Sequence, residues 1–257
     1  MNHFRQILLI LISVFLFNSC HIYYPQSTDI PLIKEKKELR VDGGISLYYP
    51  SISGTVSYGL TDKIAVQVSG NSTPTAIQIP ESSTHTPVYL LCAAVGWYKF
   101  NPTNNWTKEL YLGFGNGYAA DAYYEDDYSG SLIGNYQIYY VQGNIGKRNK
   151  KMKFLEYGFG LKLGLINTHF SVDDIFTRTG KKPIIKCDEL GALVEPVISI
   201  KLGGKRLMFN IKPSVCYIKK LSTNIDRNTN QYYYDSEFEY PYFPFGLGFS
   251  LNYRFSK

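Results

Sequence analysis

The stretch that decides the fold is Phe245–Phe255, reading FGLGFSLNYRF. Phe245, Leu247, Phe249, Leu251, Tyr253 and Phe255 fall on one side of a period-two ladder, and Gly246, Gly248, Ser250, Asn252 and Arg254 on the other. This is a strand with one greasy face. In a soluble sandwich the polar face would meet water; in a transmembrane barrel it would meet the lumen while the greasy face met lipid.

Outward from that strand the same alternation runs through the chain. Leu39, Val41, Gly43, Ile45 and Leu47 oppose Arg40, Asp42, Gly44 and Ser46. Ile52, Val56, Tyr58 and Leu60 precede a Thr61-Asp62-Lys63 turn, followed by Ile64, Val66 and Val68, which reads as a hairpin. Leu110, Leu112, Phe114 and Tyr118 oppose Glu109, Tyr111, Gly113, Gly115 and Gly117; Tyr139, Val141 and Ile145 oppose Tyr140, Gln142 and Asn144. The clearest case runs from Leu155 to Leu165, with Glu156, Gly158, Gly160, Lys162 and Gly164 on the small or polar face. Glu195, Ser199 and Lys201 lie opposite Pro196, Ile198 and Ile200, and Gly203-Gly204-Lys205-Arg206 leads to Leu207–Tyr217, whose inward set contains Asn210, Lys212 and Cys216. Val88–Phe100 is apolar or small on both faces, so its facing stays open.

Connection lengths separate the two architectures. Those after Leu60, Phe100, Gly146 and Leu202 are short; those after Ser69, Tyr118, Asn167 and Lys220 are long, and include the segments Ala120–Leu132 and Asn167–Lys186, read as loops. Short turns at one end and long loops at the other are the asymmetry of an outer-membrane barrel. We therefore expect an all-β, antiparallel, up-and-down transmembrane barrel of about ten strands, with short periplasmic turns, long extracellular loops and both termini periplasmic. A length of 257 residues suits one such domain.

Residues 1–19 resemble an export signal: Arg5 precedes an apolar run, Ile7–Phe17, too short to span a bilayer. The run ends in Phe17-Asn18-Ser19-Cys20, which resembles a lipobox with Cys20 as the lipidated residue. Phe17 and Asn18 depart from the usual residues there, leaving cleavage by the ordinary signal peptidase as the alternative. Residues 20–38, with Pro25, Pro31 and the mixed charges of Lys34–Glu38, read as a lipidated N-terminus and solvated tether, and residues 39–257 as the barrel.

Several chemistries find no support. The net charge of +6 is spread over the chain without a nucleic-acid reader motif. GFGNGY lacks the third glycine of a dinucleotide fingerprint, so no cofactor is expected. Cys92, Cys187 and Cys216 have no metal-ligand spacing, and Glu125, Asp126 and Asp127 lack that of a calcium loop.

The segments PLIKEKKELRVDGGIS (31–46), YGLTDKIAVQ (58–67), YVQGNIG (140–146), FLEYGFGLKLG (154–164) and EPVISIKLGGKRLMFNIKPS (195–214), with the closing strand, resemble a group of outer-membrane β-barrel lipoproteins of Bacteroidota-type bacteria. The resemblance covers nearly all of the mature chain. It implies the fold, the location, and outer-membrane lipids and the barrel-assembly machinery as partners, the aromatic C-terminal strand serving the latter. It carries no catalytic residues.

In this register the lumen receives Arg40, Asp42, Glu109, Glu156, Lys162, Glu195, Lys201, Lys212 and Arg254. Opposite charges confined to so narrow a barrel should pair and fill it, since wide aqueous channels need about sixteen strands. The expectation is a monomeric, non-enzymatic barrel with a largely plugged lumen and a structural or surface-interaction role. A narrow ion or small-solute channel is the alternative. A rim hydrolase or acyltransferase would draw on His85, His169, Asp173 and Asp174, which have no nucleophile context. The Tyr- and acid-rich stretches Tyr123–Ser131 and Asn230–Tyr242 are candidate ligand-contact surfaces or part of an aromatic girdle, with no ligand identified.

Overall fold

The structure, a computed structural model, describes residues 29–46, 51–72, 89–125, 128–152, 154–176, 184–227 and 245–255. Its elements are β1 (Leu39–Ser46), β2 (Ser51–Gly59), β3 (Ile64–Ser72), β4 (Tyr89–Asn101), β5 (Trp106–Glu125), β6 (Tyr128–Arg148), β7 (Leu155–Phe176), β8 (Ile184–Gly203), β9 (Leu207–Val215), β10 (Tyr217–Arg227) and β11 (Phe245–Phe255). Each strand pairs antiparallel with the next from β1 to β8; β8 then pairs with β9, β9 with β11, and β11 with β1. β10 continues β9 past a one-residue break at Cys216 and keeps β8 as its neighbour. The eleven segments thus form a closed antiparallel barrel of ten staves. The opening stretch is the closing stave, with Leu39 opposite Phe255 and Ser46 opposite Gly248.

The alternation has a physical reading on both faces. Leu112 is 65% exposed while its neighbour Tyr111 is fully buried, which makes Leu112 an outer-wall residue and Tyr111 an interior one. Along β4, Leu90, Cys92, Ala94 and Tyr98 point inward and Tyr89, Leu91, Val95 and Trp97 outward, resolving the facing that composition left open. The outer wall of β5–β7 is apolar, apart from Lys108 and Lys147 at its lower edge, from the Trp106–Tyr157 level up to a polar row in which Asn116 faces Gln137 and Gln137 faces Asn167. From residue 106 to residue 116, at about 3.3 Å per residue and a tilt near 40°, that band is roughly 25 Å tall, the height of an outer-membrane hydrophobic belt.

Two expected loops are strands. β5 reaches Glu125 and β6 begins at Tyr128, and β7 reaches Phe176 with β8 beginning at Ile184, so the polar segments after Tyr118 and Asn167 continue the ladder. β10 likewise extends past Lys220 to Arg227. Above the apolar band neither face has to be greasy, so the period-two signal fades while backbone pairing persists. Residues 73–88 and 228–244, which include His85 and the 230–242 stretch, lie outside the described residues, as does Cys20.

Four inward aromatic rings sit directly across the ladder from glycines: Tyr111 from Gly96, Tyr140 from Gly113, Tyr136 from Gly117, and Phe170 from Gly134. A Cβ at any of these glycines would collide with the facing ring. The glycines are gaps in the wall that let large rings lie flat against it. Replacing Gly113 by Val is expected to destabilise the barrel by about 1–3 kcal/mol through overpacking. Gly43→Ala, where a Cβ meets open space, should stay within about 0.5 kcal/mol of the parent. Urea midpoints of the detergent-folded proteins compare the two.

Candidate functional site

The barrel interior collects the polar chemistry of the chain, and β1 places the first groups there. Arg40 and Asp42 sit on its inward face and are buried, at 1% and 2% exposure. The Arg40 guanidinium donates from Nε to Glu38 Oε1 at 2.7 Å and from Nη1 to Glu156 Oε1 at 2.9 Å; Lys34 Nζ reaches the other Glu156 oxygen at 3.1 Å. Arg254, opposite Arg40 in the closing ladder, places Nε 2.8 Å from the same Glu38 oxygen and Nη2 3.5 Å from Glu35. A single carboxylate, Glu38, therefore lies between two arginines that the register forces together.

Higher in the interior Asp42 accepts from Lys212 Nζ at 2.7 Å and Ser250 Oγ at 2.9 Å. Lys162 pairs with Glu195 at 3.8 Å, directly across the β7–β8 ladder, and stands 4.9 Å from the centroid of Tyr140. Glu109 and Lys201 take main-chain partners. Glu109 accepts from the Ile33 backbone N–H at 2.7 Å and from Asn144 Nδ2 at 2.9 Å, and Lys201 Nζ donates to the Ile30 carbonyl at 2.5 Å. Thus Arg40, Asp42, Glu109, Glu156, Lys162, Glu195, Lys201 and Lys212 are all buried, and Arg254 lies at the short-turn mouth with its side chain 14% exposed.

Residues 29–34 run inside the barrel, which the charge pattern did not announce. Ile30, Leu32 and Ile33 are essentially fully buried, whereas Glu35, Lys36 and Lys37 are exposed at the short-turn end. The solvated spacer expected from Lys34–Glu38 is confined to those three residues. Inward glycines receive the apolar side chains: Ile30 lies over Gly158 and Gly160, Leu32 over Gly146, and Ile33 over Gly59. Lys37, at φ 66°, makes the reversal that leads into β1, and its N–H donates to the Gly59 carbonyl at 2.7 Å. Leu32 is also left-handed at φ 57°. For a bulky residue that costs on the order of 1–3 kcal/mol, offset by burying a leucine side chain. Gln142 Nε2 holds the Asp29 carbonyl at 3.0 Å. Burial, with Asp42 nearby, pushes the Asp29 carboxyl up against the pull of Lys201, Lys212 and Arg40; burial pushes the Lys34 ammonium down, opposed by Glu156.

Above this charged layer the interior turns apolar and aromatic, with Tyr111, Tyr136, Tyr140, Ile138, Ile166 and Phe170 buried together. Cys92 and Cys216 are free thiols in that layer. His169 is on the opposite face. It lies in β7 above the apolar band, exposed on the outer wall, with Nδ1 2.8 Å from Asp188 Oδ1 and Nε2 3.1 Å from Asn167 Nδ2. Asp173 and Asp174 are in the same strand, and their side chains lie outside the described set. Among the described residues no group of three His, Cys, Asp or Glu side chains is placed to hold a metal.

Of these residues, sequence reading missed Glu38, Lys34 and the Ile30–Ile33 segment, and it placed Gln142 and Asn144 on the inward face without giving them a role. Glu38 had a signal: it occupies the inward parity of β1, two residues before Arg40.

No protein-family model and no curated protein sequence matches the chain. Among solved structures the fold is similar to that of the outer membrane protease OmpT from Escherichia coli, with a TM-score of 0.57 and 9% identity over 86% of this chain and 94% of that one. The likeness is one of fold, an outer-membrane-type β-barrel.

Removing one partner from the charged layer should cost more than removing a pair. Glu156→Leu leaves Arg40 and Lys34 short of an acid and is expected to cost about 3–5 kcal/mol, whereas the double variant Asp42→Leu/Lys212→Met should be less destabilised than either single change. Additive losses in the Asp42–Lys212 cycle, read from urea midpoints, would contradict the pairing.

Proposed function

We propose that the chain is an outer-membrane barrel lipoprotein whose interior is closed by its own N-terminal segment, with a structural or surface-contact role and no catalysis. The observation that carries this reading is the docking of residues 29–33, fixed by Glu109, Gln142 and Lys201 and seated on glycines of β2, β6 and β7. Backbone held by interior side chains at several points removes the continuous water path a channel needs. Outward aromatics and the band of about 25 Å support a membrane location. Lipidation at Cys20 and periplasmic termini belong to the same reading; the support is on the C-terminal side, where Phe255 meets Leu39 at the short-turn end.

A rim hydrolase is the competing class, and the fold neighbour is named as a protease. In this chain the His169 ring is engaged by Asp188 and Asn167, neither of them a nucleophile, and it lies on the outer wall instead of in a cleft. A peptide or ester hydrolase activity of the purified protein that disappears in His169→Ala would overturn the non-enzymatic reading.

The closure has a direct test in planar bilayers. The full chain should insert without conductance steps, and a variant lacking residues 21–34 should show them once its heat-modifiable gel shift confirms folding. Steps from the full chain would establish the narrow-channel alternative. A silent, folded deletion variant would assign closure to the strand side chains and take that role from the segment.

A further inference from the structure

The outer wall carries one local violation of its own pattern. Lys99 of β4 and Lys108 of β5 are directly opposite each other in the ladder, and both are exposed on a face that is otherwise mostly aliphatic and aromatic. Like charges directly opposed across a ladder are destabilising. Among the described residues neither lysine has a carboxylate within ion-pair distance, Asp62 in the neighbouring turn included. The pair stands between the two tryptophans of the chain: Trp97 two residues before Lys99 and Trp106 two residues before Lys108, Trp97 being 44% exposed. Lys147 adds a third ammonium, 5.6 Å from the centroid of the Trp106 ring.

Next to this patch the wall also has a slot. Gly143 faces outward between Leu110 and Leu161, and a Cβ there would meet nothing within 4 Å. A groove with leucine sides thus opens beside the lysine pair on its membrane side, with Leu112 and Val141 on the next rung.

We infer that Lys99, Lys108 and Lys147 form a seat for the phosphate of an anionic glycerophospholipid, with an acyl chain lying in the groove at Gly143. A phosphodiester between the two ammonium groups resolves their repulsion and supplies hydrogen-bond acceptors to both. The tryptophans mark the interfacial level at which such a headgroup resides. Lys147, stacked on Trp106, reaches the same headgroup from the turn side, where the lysine stems lie along apolar surface. A zwitterionic phosphatidylethanolamine brings its own ammonium and gains less from the patch. The inference rests on the reading that the barrel spans a bilayer.

Because the two tryptophans flank the seat, intrinsic fluorescence reports on it. The full-length protein is reconstituted in bilayers with brominated phosphatidylglycerol or brominated phosphatidylethanolamine as the quencher. Phosphatidylglycerol should quench preferentially, with a relative affinity that falls about fivefold for each lysine removed in Lys99→Gln and Lys108→Gln. The Lys99→Arg/Lys108→Arg variant should retain the preference, which keeps the test sound if a Gln variant folds poorly. Inorganic phosphate at millimolar concentration should not compete; full competition by it would replace the lipid with a free anion. Equal quenching by the two lipids in the parent protein, or an unchanged preference in the double Gln variant, overturns the seat alone. Absence of quenching by either lipid overturns the membrane reading as well, so the two failures are distinguishable.

Discussion

Backbone N–H and C=O groups that cross hydrocarbon have to find partners within the protein, and for a sheet that is possible only when its two edges meet. Everything else in this chain depends on the β1–β11 ladder that joins them, running from Leu39 opposite Phe255 to Ser46 opposite Gly248. Its register is tightly specified by parity. Arg40, Asp42 and Gly44 on one strand face Arg254, Asn252 and Ser250 on the other, all on the inward side. A slip of one residue would turn the Arg254 side of β11 toward lipid and Tyr253 toward the interior. The same register brings two arginines together, so closure creates a charge conflict at the short-turn mouth. Glu38 resolves it by standing within 2.8 Å of both guanidinium groups.

A ten-stave ring encloses more space than aliphatic side chains of one wall fill, and this chain fills it by two different devices. In the upper layer, rings lie flat over cross-strand glycines, which converts wall thickness into interior volume for tyrosine and phenylalanine. In the lower layer the wall glycines at 59, 146, 158 and 160 receive side chains from the N-terminal segment. Glycine serves packing in both places: the wall is thinned where something bulky rests against it. Most of the buried charged groups sit in the lower layer, where Glu109 and Lys201 take backbone partners from the segment and Arg40, Asp42, Glu156 and Lys212 pair through their side chains. Burying those charges without partners would cost several kcal/mol each.

What was legible in the chain follows from where the physics is periodic. Inside the hydrocarbon the two faces meet different media, so residues such as Leu112 and Tyr111 declare their facing, and the inward positions of Arg40, Asp42, Glu156 and Lys201 could be read by counting. Beyond the apolar band both faces meet polar surroundings. The β5–β6 and β7–β8 arms therefore look like loops in sequence although their ladders continue to Glu125 and Phe176. The break at Cys216 left no trace because a one-residue interruption with unchanged partner and register preserves the alternation on either side. Residues 29–33 form neither strand nor helix, so no period exists to reveal that they are buried. Ile30, Leu32 and Ile33 are too few to stand out beside Pro31 and the lysines that follow.

The interior chemistry also explains why pairing acids with bases by sign alone was an incomplete description. Glu109 and Lys201 are of opposite charge, and each takes a main-chain partner: the N–H of Ile33 and the carbonyl of Ile30. A cationic and an anionic side chain placed to hold a backbone carbonyl and a backbone N–H make a receptor for a peptide segment, and the chain supplies that segment from the residues immediately before β1. Only the turn at Glu35–Lys37 separates the docked stretch from the strand, so its docking closes a very short loop and sacrifices little chain entropy. The tether also keeps the segment at an effective concentration of millimolar order or above. A peptide arriving from solution would pay the full loss of translational freedom for the same contacts. The covalent arrangement therefore favours the chain's own N-terminal residues over any competitor for the lower lumen, and the polar groups of the barrel wall are spaced for that occupant.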